Sequence, residues 1–295
     1  MSTTFTSGSA APLERQTLRR RIDQLIDSAP NLPAAFEILP QLLALLDDPE
    51  ADCSSLAELI RIDPSLTAAV LRVSNSARYR GGDITDSLSD AIARLGLREI
   101  FRIVLEIVTA PALNDPCPLG RIDLWRHSLA TAVASQVFSE RLNKEHPEVV
   151  FSVGLLHDIG KTILFRAARD QYVALLQSCA ERNESVESAE RQTFAIDHAE
   201  VAGLLLRAWK FPERISDAVA GHHHPQSITK EHQTLGALVC VGNTIAHNLG
   251  IGNGYTPFKV HADADALKIL ALPSEKLTAY NDEILERIQR EQDRV

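Results

Sequence analysis

Apolar residues recur at helical spacing through most of the chain, and this periodicity limits the fold more than any other feature. Leu66, Val70 and Val73 lie at i, i+4 and i+7, positions that share one face of a helix. Asp63 precedes a proline at the start of this stripe, as an N-cap residue does, and Gly96 ends a later stripe. Aromatic residues make up only 5% of the sequence. The sequence therefore predicts an all-α fold.

Breaks in this pattern predict how the chain is organised. Residues 1–12 are rich in Ser, Thr and Ala, and we expect them to be disordered. Helical stripes fill residues 13–115, which we interpret as an N-terminal helical lobe ending at a proline-rich break near Pro116. Residues 116–250 carry a second helical bundle, and residues 251–295 hold a loop and one C-terminal helix. The predicted architecture is a two-lobed helical bundle.

Charge and cysteine use indicate the partners and the compartment. The formal net charge is -9, whereas a protein that mainly binds nucleic acid presents a basic face to phosphates. A local basic pocket is compatible with this charge. No run of 18 apolar residues exists, and the four cysteines are scattered without a C-x-x-C pair. The start of the chain lacks a signal-peptide pattern, so we expect a cytoplasmic protein without nucleic acid or membrane partners.

Two polar residues with metal-binding chemistry interrupt an apolar run in the second half of the chain. His157 and Asp158 are adjacent within a predicted helix that extends from Val150 to Lys161. Neither side chain belongs in a core unless a partner satisfies it. Imidazole nitrogen and carboxylate oxygen are a typical ligand mix for divalent transition metals. For this pair alone, a hydrogen bond at a helix end is the simpler alternative.

Further polar side chains fall on or beside the inward faces of separate predicted helices. The full set comprises His127, His157, Asp158, His198, His222 and Asn243, with His223 next to His222. A single core histidine is usually hydrogen-bonded and structural, but every buried imidazole in such a set needs a partner. One metal ion satisfies several of them together, and bundle interiors commonly hold such sites. The set indicates a metal centre, with hydrogen-bonded structural histidines as the alternative.

The order of these residues resembles a known superfamily. A single histidine is followed thirty residues later by His-Asp, then by Ile-Gly-Lys, another histidine and His-His. This order resembles the HD superfamily of metal-dependent phosphohydrolases. Within it, the chain resembles the HDOD family, the HD-related output domains of bacterial signalling proteins. The segments that carry this resemblance are Leu32-Pro33, Ile62-Asp63-Pro64, Ser74-Asn75-Ser76, Ala91–Gly96, Leu124–Ser128, Gly154–Lys161, Asp197–Ala202, Leu206–Trp209, Phe211-Pro212 and Gly221–Pro225.

The resemblance implies a role for individual residues. Three of them would bind a metal ion directly: His127, His157 and Asp158. Three more match the additional histidines of the dinuclear and HD-GYP branches: His198, His222 and His223. Lys161 matches the lysine that contacts a substrate phosphate in active relatives, so an active protein would use Asp158 and Lys161 in catalysis. The implied cofactor is a divalent iron, manganese or zinc ion, held in an HD-like helical core.

Two departures from the family pattern favour a non-catalytic protein. Asn243 stands where catalytic HD proteins carry a terminal aspartate, which leaves Asp158 as the only carboxylate in the set. Neutral imidazoles do not offset the charge of two dications, so the sequence argues against a dinuclear centre. The Gly-Tyr-Pro element that follows the His-His pair of cyclic-dinucleotide phosphodiesterases is absent after His223.

Three functional hypotheses remain open from the sequence. The leading one is a bacterial regulatory protein that acts through contact with other signalling proteins, with or without one bound metal ion. The alternative is a metal-dependent phosphohydrolase or phosphodiesterase that acts on a nucleotide or another phosphoester, of the cyclic dinucleotide class. In this enzyme, metal-bound hydroxide would attack phosphorus while Lys161 offsets the phosphoryl charge. The third hypothesis is a structural scaffold that holds no metal.

Overall fold

The chain is helical throughout the part that the structure describes. The computed structural model describes residues 12–28, 38, 40–42, 45, 53–79, 84–113, 124–251 and 262–292. Its α-helices are α1 (Pro12–Ser28), α2 (Cys53–Ile60), α3 (Pro64–Ser74), α4 (Leu88–Leu113), α5 (Leu124–Leu142), α6 (Pro147–Leu156), α7 (Gly160–Ala167), α8 (Arg169–Arg182), α9 (Val186–Phe194), α10 (His198–Ala208), α11 (Glu213–Ala220), α12 (Gln233–Asn248), α13 (Ala264–Leu270) and α14 (Asn281–Gln292). Residues 38, 40–42 and 45 are helical as well. Among the described residues there is no strand, which confirms the all-α prediction.

Helices α2, α3 and α4 pack against one another and form the described core of the N-terminal lobe. The Asp63 side chain accepts a hydrogen bond from the Leu66 backbone N–H at 3.3 Å, so Asp63 caps α3 as predicted. Gly96 has φ 78° and interrupts α4, which confirms it as a helix-breaking position. Helix α4 continues past Pro111 to Leu113, although the sequence places the start of a break at that proline.

The second bundle is built around α5. This helix packs against α6 and α12, while α10 packs against α7 and α11. Helix α5 begins at Leu124 and ends at Leu142, close to the bounds that its apolar stripe predicts. Fourteen of the 19 residues of α5 are buried, because most of the helix lies between neighbouring helices rather than at the surface. The predicted two-lobed helical bundle is confirmed.

Helix α1 packs on the second bundle, against α7, α9 and α10. Its apolar face, with Leu18, Ile22 and Ile26 buried, provides this contact. Residues 1–11 and 114–123 lie outside the described residues, so the expected disorder of the first segment and the boundary near residue 116 stay predictions. No helix in the described part of the chain combines the length and the apolar character needed to cross a lipid bilayer.

The predicted helix through His157 is two helices in the structure. Helix α6 ends at Leu156 and α7 begins at Gly160, and the connecting residues form a turn. The Ile159 N–H donates to the Leu156 carbonyl at 3.1 Å, and the Lys161 N–H donates to the Asp158 carbonyl at 3.0 Å. These i→i−3 bonds tighten the backbone in the manner of a 3₁₀ turn. Apolar periodicity does not register such a change, because it leaves the side-chain spacing nearly helical.

The C-terminal helix also differs from its prediction. The sequence favours one helix capped by Ser274 and running through Leu277 to Ile288. In the structure, Ser274–Lys276 is a short 3₁₀ segment, and the α-helix begins only at Asn281. Helix α14 packs on α5 with Ile284 and Ile288 buried, so its core-facing stripe is as predicted.

Gly160 lets α7 approach α10 closely, and we expect its replacement to be costly. A Cβ atom at Gly160 would lie 2.0 Å from the His198 carbonyl oxygen and 2.8 Å from the Ala202 backbone nitrogen. Backbone atoms cannot move aside as a side chain does, so Gly160→Ala should lower the free energy of unfolding by about 1–3 kcal/mol or more. Urea denaturation measures this loss.

Gly236→Ala is the matched control for this substitution. A Cβ atom at Gly236 would meet only the side-chain ends of Ile228 and Pro225 and a carbonyl oxygen, at 3.1 Å or more. The change should cost little, because alanine also favours a helix more than glycine does. If Gly160→Ala were as stable as the wild type, α7 and α10 would be able to move apart at little cost in free energy.

Candidate metal centre

The predicted site residues come together in the interior of the second bundle. His127 lies on α5, and His157 and Asp158 lie in the turn between α6 and α7. His198 begins α10 after Asp197, whose side chain accepts from the Glu200 N–H in a capping box. The remaining members follow α11 or lie on α12: His222, His223 and Asn243. Five elements therefore contribute to one cluster.

Most of the cluster is closed to solvent in this structure, while His223 lines an open pocket of about 410 Å³. His127, His157 and His222 are 0% exposed, Asp158 is 1% exposed and Asn243 is 9% exposed. The Lys161 side chain reaches the same place and is 13% exposed. His223 is half-buried. The cluster therefore combines several polar groups with an almost dry environment, where each of them needs a partner.

Asp158 is the centre of the cluster. Its Oδ2 lies 3.4 Å from His157 Nε2 and 3.6 Å from His127 Nε2. Its Oδ1 lies 3.2 Å from His198 Nε2, and Lys161 Nζ donates to Oδ2 at 2.6 Å. These contacts place four nitrogen-bearing side chains around a single carboxylate.

Two groups of three side chains could each hold a metal ion. The first is His127, His157 and Asp158, and the second is His198, His222 and His223. Within each group, the candidate ligand atoms lie within 4.8 Å of one another. The two groups adjoin, because His223 Nε2 lies 2.9 Å from His198 Nε2.

Backbone acceptors fix the orientation of three of these imidazole rings. Nδ1 of His127 lies 2.8 Å from the Ile251 carbonyl, and Nδ1 of His157 lies 2.7 Å from the Gly154 carbonyl. Nδ1 of His222 lies 2.8 Å from a carbonyl at the end of α11. A carbonyl oxygen only accepts, so Nδ1 must carry the proton in all three rings. In the neutral rings, Nε2 is then unprotonated, and its lone pair is available to a ligand within the cluster.

Those lone pairs have no hydrogen-bond partner, and this makes the cluster fit a metal ion. Nε2 of His127, His157 and His222 is buried without a hydrogen-bond partner, as is Asn243 Oδ1. Polar atoms that are buried without a hydrogen-bond partner destabilise the folded state. Several of them at one place indicate that they share a partner such as a metal ion. Nitrogen and carboxylate oxygen are suitable ligands for iron, manganese or zinc.

Glu190 is a member of the site that the sequence analysis missed. It is fully buried on α9, and its Oε2 accepts from His198 Nδ1 at 2.6 Å and from the His198 backbone N–H at 2.8 Å. Tyr172 donates its hydroxyl to Glu190 Oε1 at 2.6 Å. A carboxylate that holds the outer nitrogen of a ligating histidine orients the ring and raises its basicity.

His247 is a second residue that the sequence analysis missed. It lies one helical turn after Asn243 on α12, and its ring centroid is 4.5 Å from that of His127. Burial, together with the nearby histidines, lowers the pKa of His247 to about 2. A neutral ring therefore packs on the outer side of His127 and limits the space in which His127 can move.

The electrostatics of the cluster follow from burial and from Glu190. Burial is the main cause that lowers the pKa of His127, of His157 and, to about 3, of His222. Burial would also lower the pKa of His198, but the Glu190 and Asp158 carboxylates together outweigh it and raise that pKa to about 9. Burial would raise the pKa of Asp158, but His157, Lys161 and His198 together outweigh it and hold that pKa well below its usual value.

Two other polar residues in the second half of the chain have ordinary structural roles. His224 is exposed and pairs with Glu187 at 3.0 Å. The Asp263 side chain accepts from the Ala266 N–H at 2.8 Å and caps α13.

Glu190→Gln tests whether Glu190 positions His198 for a metal ion. Glutamine keeps the shape but loses the charge that makes His198 basic, so the affinity for zinc should fall by about 10–100-fold. Competition with a chromophoric zinc chelator measures this affinity. Glu184→Gln, at an exposed position, is the matched control and should leave it unchanged. Equal affinity of both variants would show that Glu190 only stabilises the fold.

Comparisons with known proteins identify similar sequences and folds. The chain matches a protein of Treponema pallidum (strain Nichols) of uncharacterised function with 24% identity over 247 residues. The match covers 82% of the chain but only 46% of that relative. Relatives of known structure include an HDOD domain protein of unknown function from Geobacter sulfurreducens, with 24% identity and a TM-score of 0.74 over 94% of this chain and 96% of that one.

Two further solved structures share the fold. A Marinobacter aquaeolei VT8 protein, provisionally described as a signal transduction protein, has 20% identity and a TM-score of 0.74 over 94% of this chain and 63% of that one. A Shewanella amazonensis SB2B protein, provisionally described as a phosphohydrolase, has 22% identity and a TM-score of 0.65 over 91% of this chain and 97% of that one. Residues 32–225 match the sequence profile of the HDOD domain. The chain therefore belongs to the HDOD domain family.

Proposed function

We propose that this HDOD protein is a bacterial signalling component that regulates other proteins by contact and does not catalyse a reaction. The observation that carries this proposal is the closure of the cluster. His127, His157 and His222 are fully buried, so their Nε2 atoms are not in contact with solvent in this conformation. The neighbouring Marinobacter structure, provisionally described as a signal transduction protein, supports the signalling part of the proposal.

Two further observations support a non-catalytic role. Lys161, which would contact a substrate phosphate in an enzyme, is held by Asp158 at 2.6 Å. A substrate would have to displace this ion pair before it could use the lysine. Asn243 supplies a neutral amide where a catalytic relative carries a second carboxylate, so the cluster offers less negative charge to a pair of metal ions.

The proposed cofactor is one divalent ion of iron, manganese or zinc. His127, His157 and Asp158 would hold it, with Asn243 beside them and with His198, which Glu190 orients, 3.2 Å from the Asp158 carboxylate. When bound, such an ion would supply Lewis-acid chemistry and a charge that satisfies the buried lone pairs. The protein itself orients the imidazole rings through their Nδ1 hydrogen bonds and excludes bulk water from them. In the proposed function, the ion stabilises the bundle that presents the regulatory surface.

The proposed partners are other signalling proteins in the cytoplasm. The match covers only 46% of the length of the Treponema relative. The activity and the partners of the whole protein are therefore proposals. The net charge of -9 favours protein partners over nucleic acid.

The competing function is a metal-dependent phosphohydrolase that acts on a nucleotide, and one observation favours it. The candidate ligands from His127 to His223 lie close together in space, in two adjoining groups, and several of their Nε2 atoms have no hydrogen-bond partner. The fold similarity to a Shewanella protein provisionally described as a phosphohydrolase points in the same direction.

A turnover assay decides between the two functions. The full chain is incubated with manganese, iron or zinc and with p-nitrophenyl phosphate, its bis-ester and cyclic dinucleotides. We expect no hydrolysis above the level of His157→Ala, because the buried cluster does not admit a phosphoester. Hydrolysis that is abolished in a folded His157→Ala variant would establish the enzyme and refute the regulatory proposal.

A further inference from the structure

A small cavity at the junction of the lobes is lined mainly by arginine side chains. Its volume is about 210 Å³, and its lining residues are Arg78, Arg102, Val133, Gln136, Arg287, Arg290 and Glu291. The first arginine follows α3, the second belongs to α4, and the last two lie on α14. The cavity is therefore built from the N-terminal lobe, from α5 of the second bundle and from the C-terminal helix.

The lining carries more positive than negative charge. It contains four guanidinium groups and one carboxylate. Arg287 pairs with Glu140 and Glu283, and Arg290 pairs with Glu286, but none of these three carboxylates lines the cavity. The carboxylates that pair with Arg287 and Arg290 thus do not line the cavity, whereas Glu291, which pairs with Arg102, does.

The arginines also keep hydrogen-bond donors for a ligand. A guanidinium group has five N–H donors, and the ion pairs of Arg287 and Arg290 in the described part of the chain use only Nη2. Arg78 has no carboxylate partner among the described residues, and its guanidinium lies 5.3 Å from the Tyr79 ring centroid. Arg102 differs, because Gln136 and two buried carboxylates take up its donors; it contributes charge to the wall rather than free N–H groups.

We propose that this cavity binds a small phosphate-bearing anion that joins the N-terminal lobe to the C-terminal helix. Guanidinium groups recognise phosphate oxygens through paired, charge-assisted N–H donors. Pockets that enclose drug-sized ligands begin at about 300 Å³, so this smaller cavity fits a phosphate group or a compact phosphoester.

The anion site is separate from the candidate metal centre. Val133 and Gln136 line the cavity from α5, on the same helix as His127 but six and nine residues further along it. None of the candidate metal ligands lines the cavity. The proposed anion site therefore does not depend on metal binding. It adds a small-molecule input to the proposed regulatory function.

Isothermal titration calorimetry with inorganic phosphate tests this proposal on the full chain, with chloride used to keep the ionic strength constant. The wild type should bind phosphate saturably. The double variant Arg78→Gln/Arg290→Gln should bind at least about tenfold more weakly, because it loses two charged donors. Arg182→Gln, at an exposed position at the end of α8, is the matched control and should bind as the wild type does.

His157→Ala separates this site from the metal centre and should bind phosphate with unchanged affinity. Both replaced arginines are exposed, so the double variant should keep the wild-type circular dichroism spectrum. The single variant Arg290→Gln provides a second measurement and should also bind more weakly. The proposal is overturned by the absence of saturable binding, by unchanged affinity in the arginine variants, or by loss of binding in His157→Ala.

Discussion

Replacing Arg102 by leucine should destabilise the protein by about 3–5 kcal/mol, since it removes one partner of a buried ion-pair network. Arg102 Nε lies 3.3 Å from Glu148 Oε2, Nη1 lies 2.5 Å from Glu291 Oε1, and Nη2 donates to Gln136 Oε1 at 2.9 Å. Glu148 and Glu291 are 4% and 6% exposed. Without the guanidinium, both carboxylates would remain buried without their cation.

The network explains why so large an effect is expected from one side chain. Burial would lower the pKa of Arg102, but Glu148 and Glu291 outweigh it and raise that pKa, so the side chain is charged. Arg102 comes from α4, whereas Gln136, Glu148 and Glu291 come from α5, α6 and α14. One cation therefore links the N-terminal lobe to the second bundle and to the C-terminal helix.

Arg290→Leu is the matched control for Arg102→Leu. Arg290 pairs with Glu286 one turn away on α14, and both side chains are at least 60% exposed. Exposed pairs of this kind contribute about 0.3–0.5 kcal/mol. Urea unfolding of the two variants should therefore separate a buried from a solvated ion pair. A loss below about 1 kcal/mol for Arg102→Leu would contradict the inferred role of the network.

Removing the metal ion should lower the melting temperature of the wild type by about 5–10 °C. A ligand that binds only the native state, at a concentration 100 times its dissociation constant, stabilises that state by about 2.7 kcal/mol. For a chain of this size, each kcal/mol shifts the melting temperature by about 2–4 °C. Differential scanning calorimetry with and without a chelator measures the shift.

The chelator should have no effect on His157→Ala, because this variant lacks a ligand and carries no ion to lose. A chelated wild type that melts at the same temperature as the untreated protein would support a scaffold without metal. The expected effect should also shrink as the pH falls, because protons then compete with the metal ion for the imidazole lone pairs.

The fold was predictable from local information in the sequence. The apolar stripe Leu66, Val70 and Val73 predicts α3, and Asp63 predicts where it begins, because periodicity and capping depend on near neighbours. The turn at His157 was not predictable in this way. The turn leads directly into Gly160, where α7 packs against the backbone of α10, and this contact joins distant parts of the chain.

The site was predictable only in part, for the same physical reason. His127, His157 and Asp158 interrupt apolar stripes, so a polar residue at an inward position marks them. Glu190 gives no such signal, since a glutamate on a short helix is ordinary at the surface, and only tertiary packing buries it against His198. The ion-pair network of Arg102, outside this site, was not predictable either, because its partners lie up to 189 residues away in the sequence.

The most direct test of the account is the metal content of the purified wild type and of His157→Ala, measured together by elemental mass spectrometry. We predict near-stoichiometric iron, manganese or zinc in the wild type and its loss in the variant, because the Nε2 atoms of His127 and His157 and the Asp158 carboxylate form one group of ligands. The account is contradicted if neither protein contains metal while both are equally folded, or if the variant retains the metal content of the wild type.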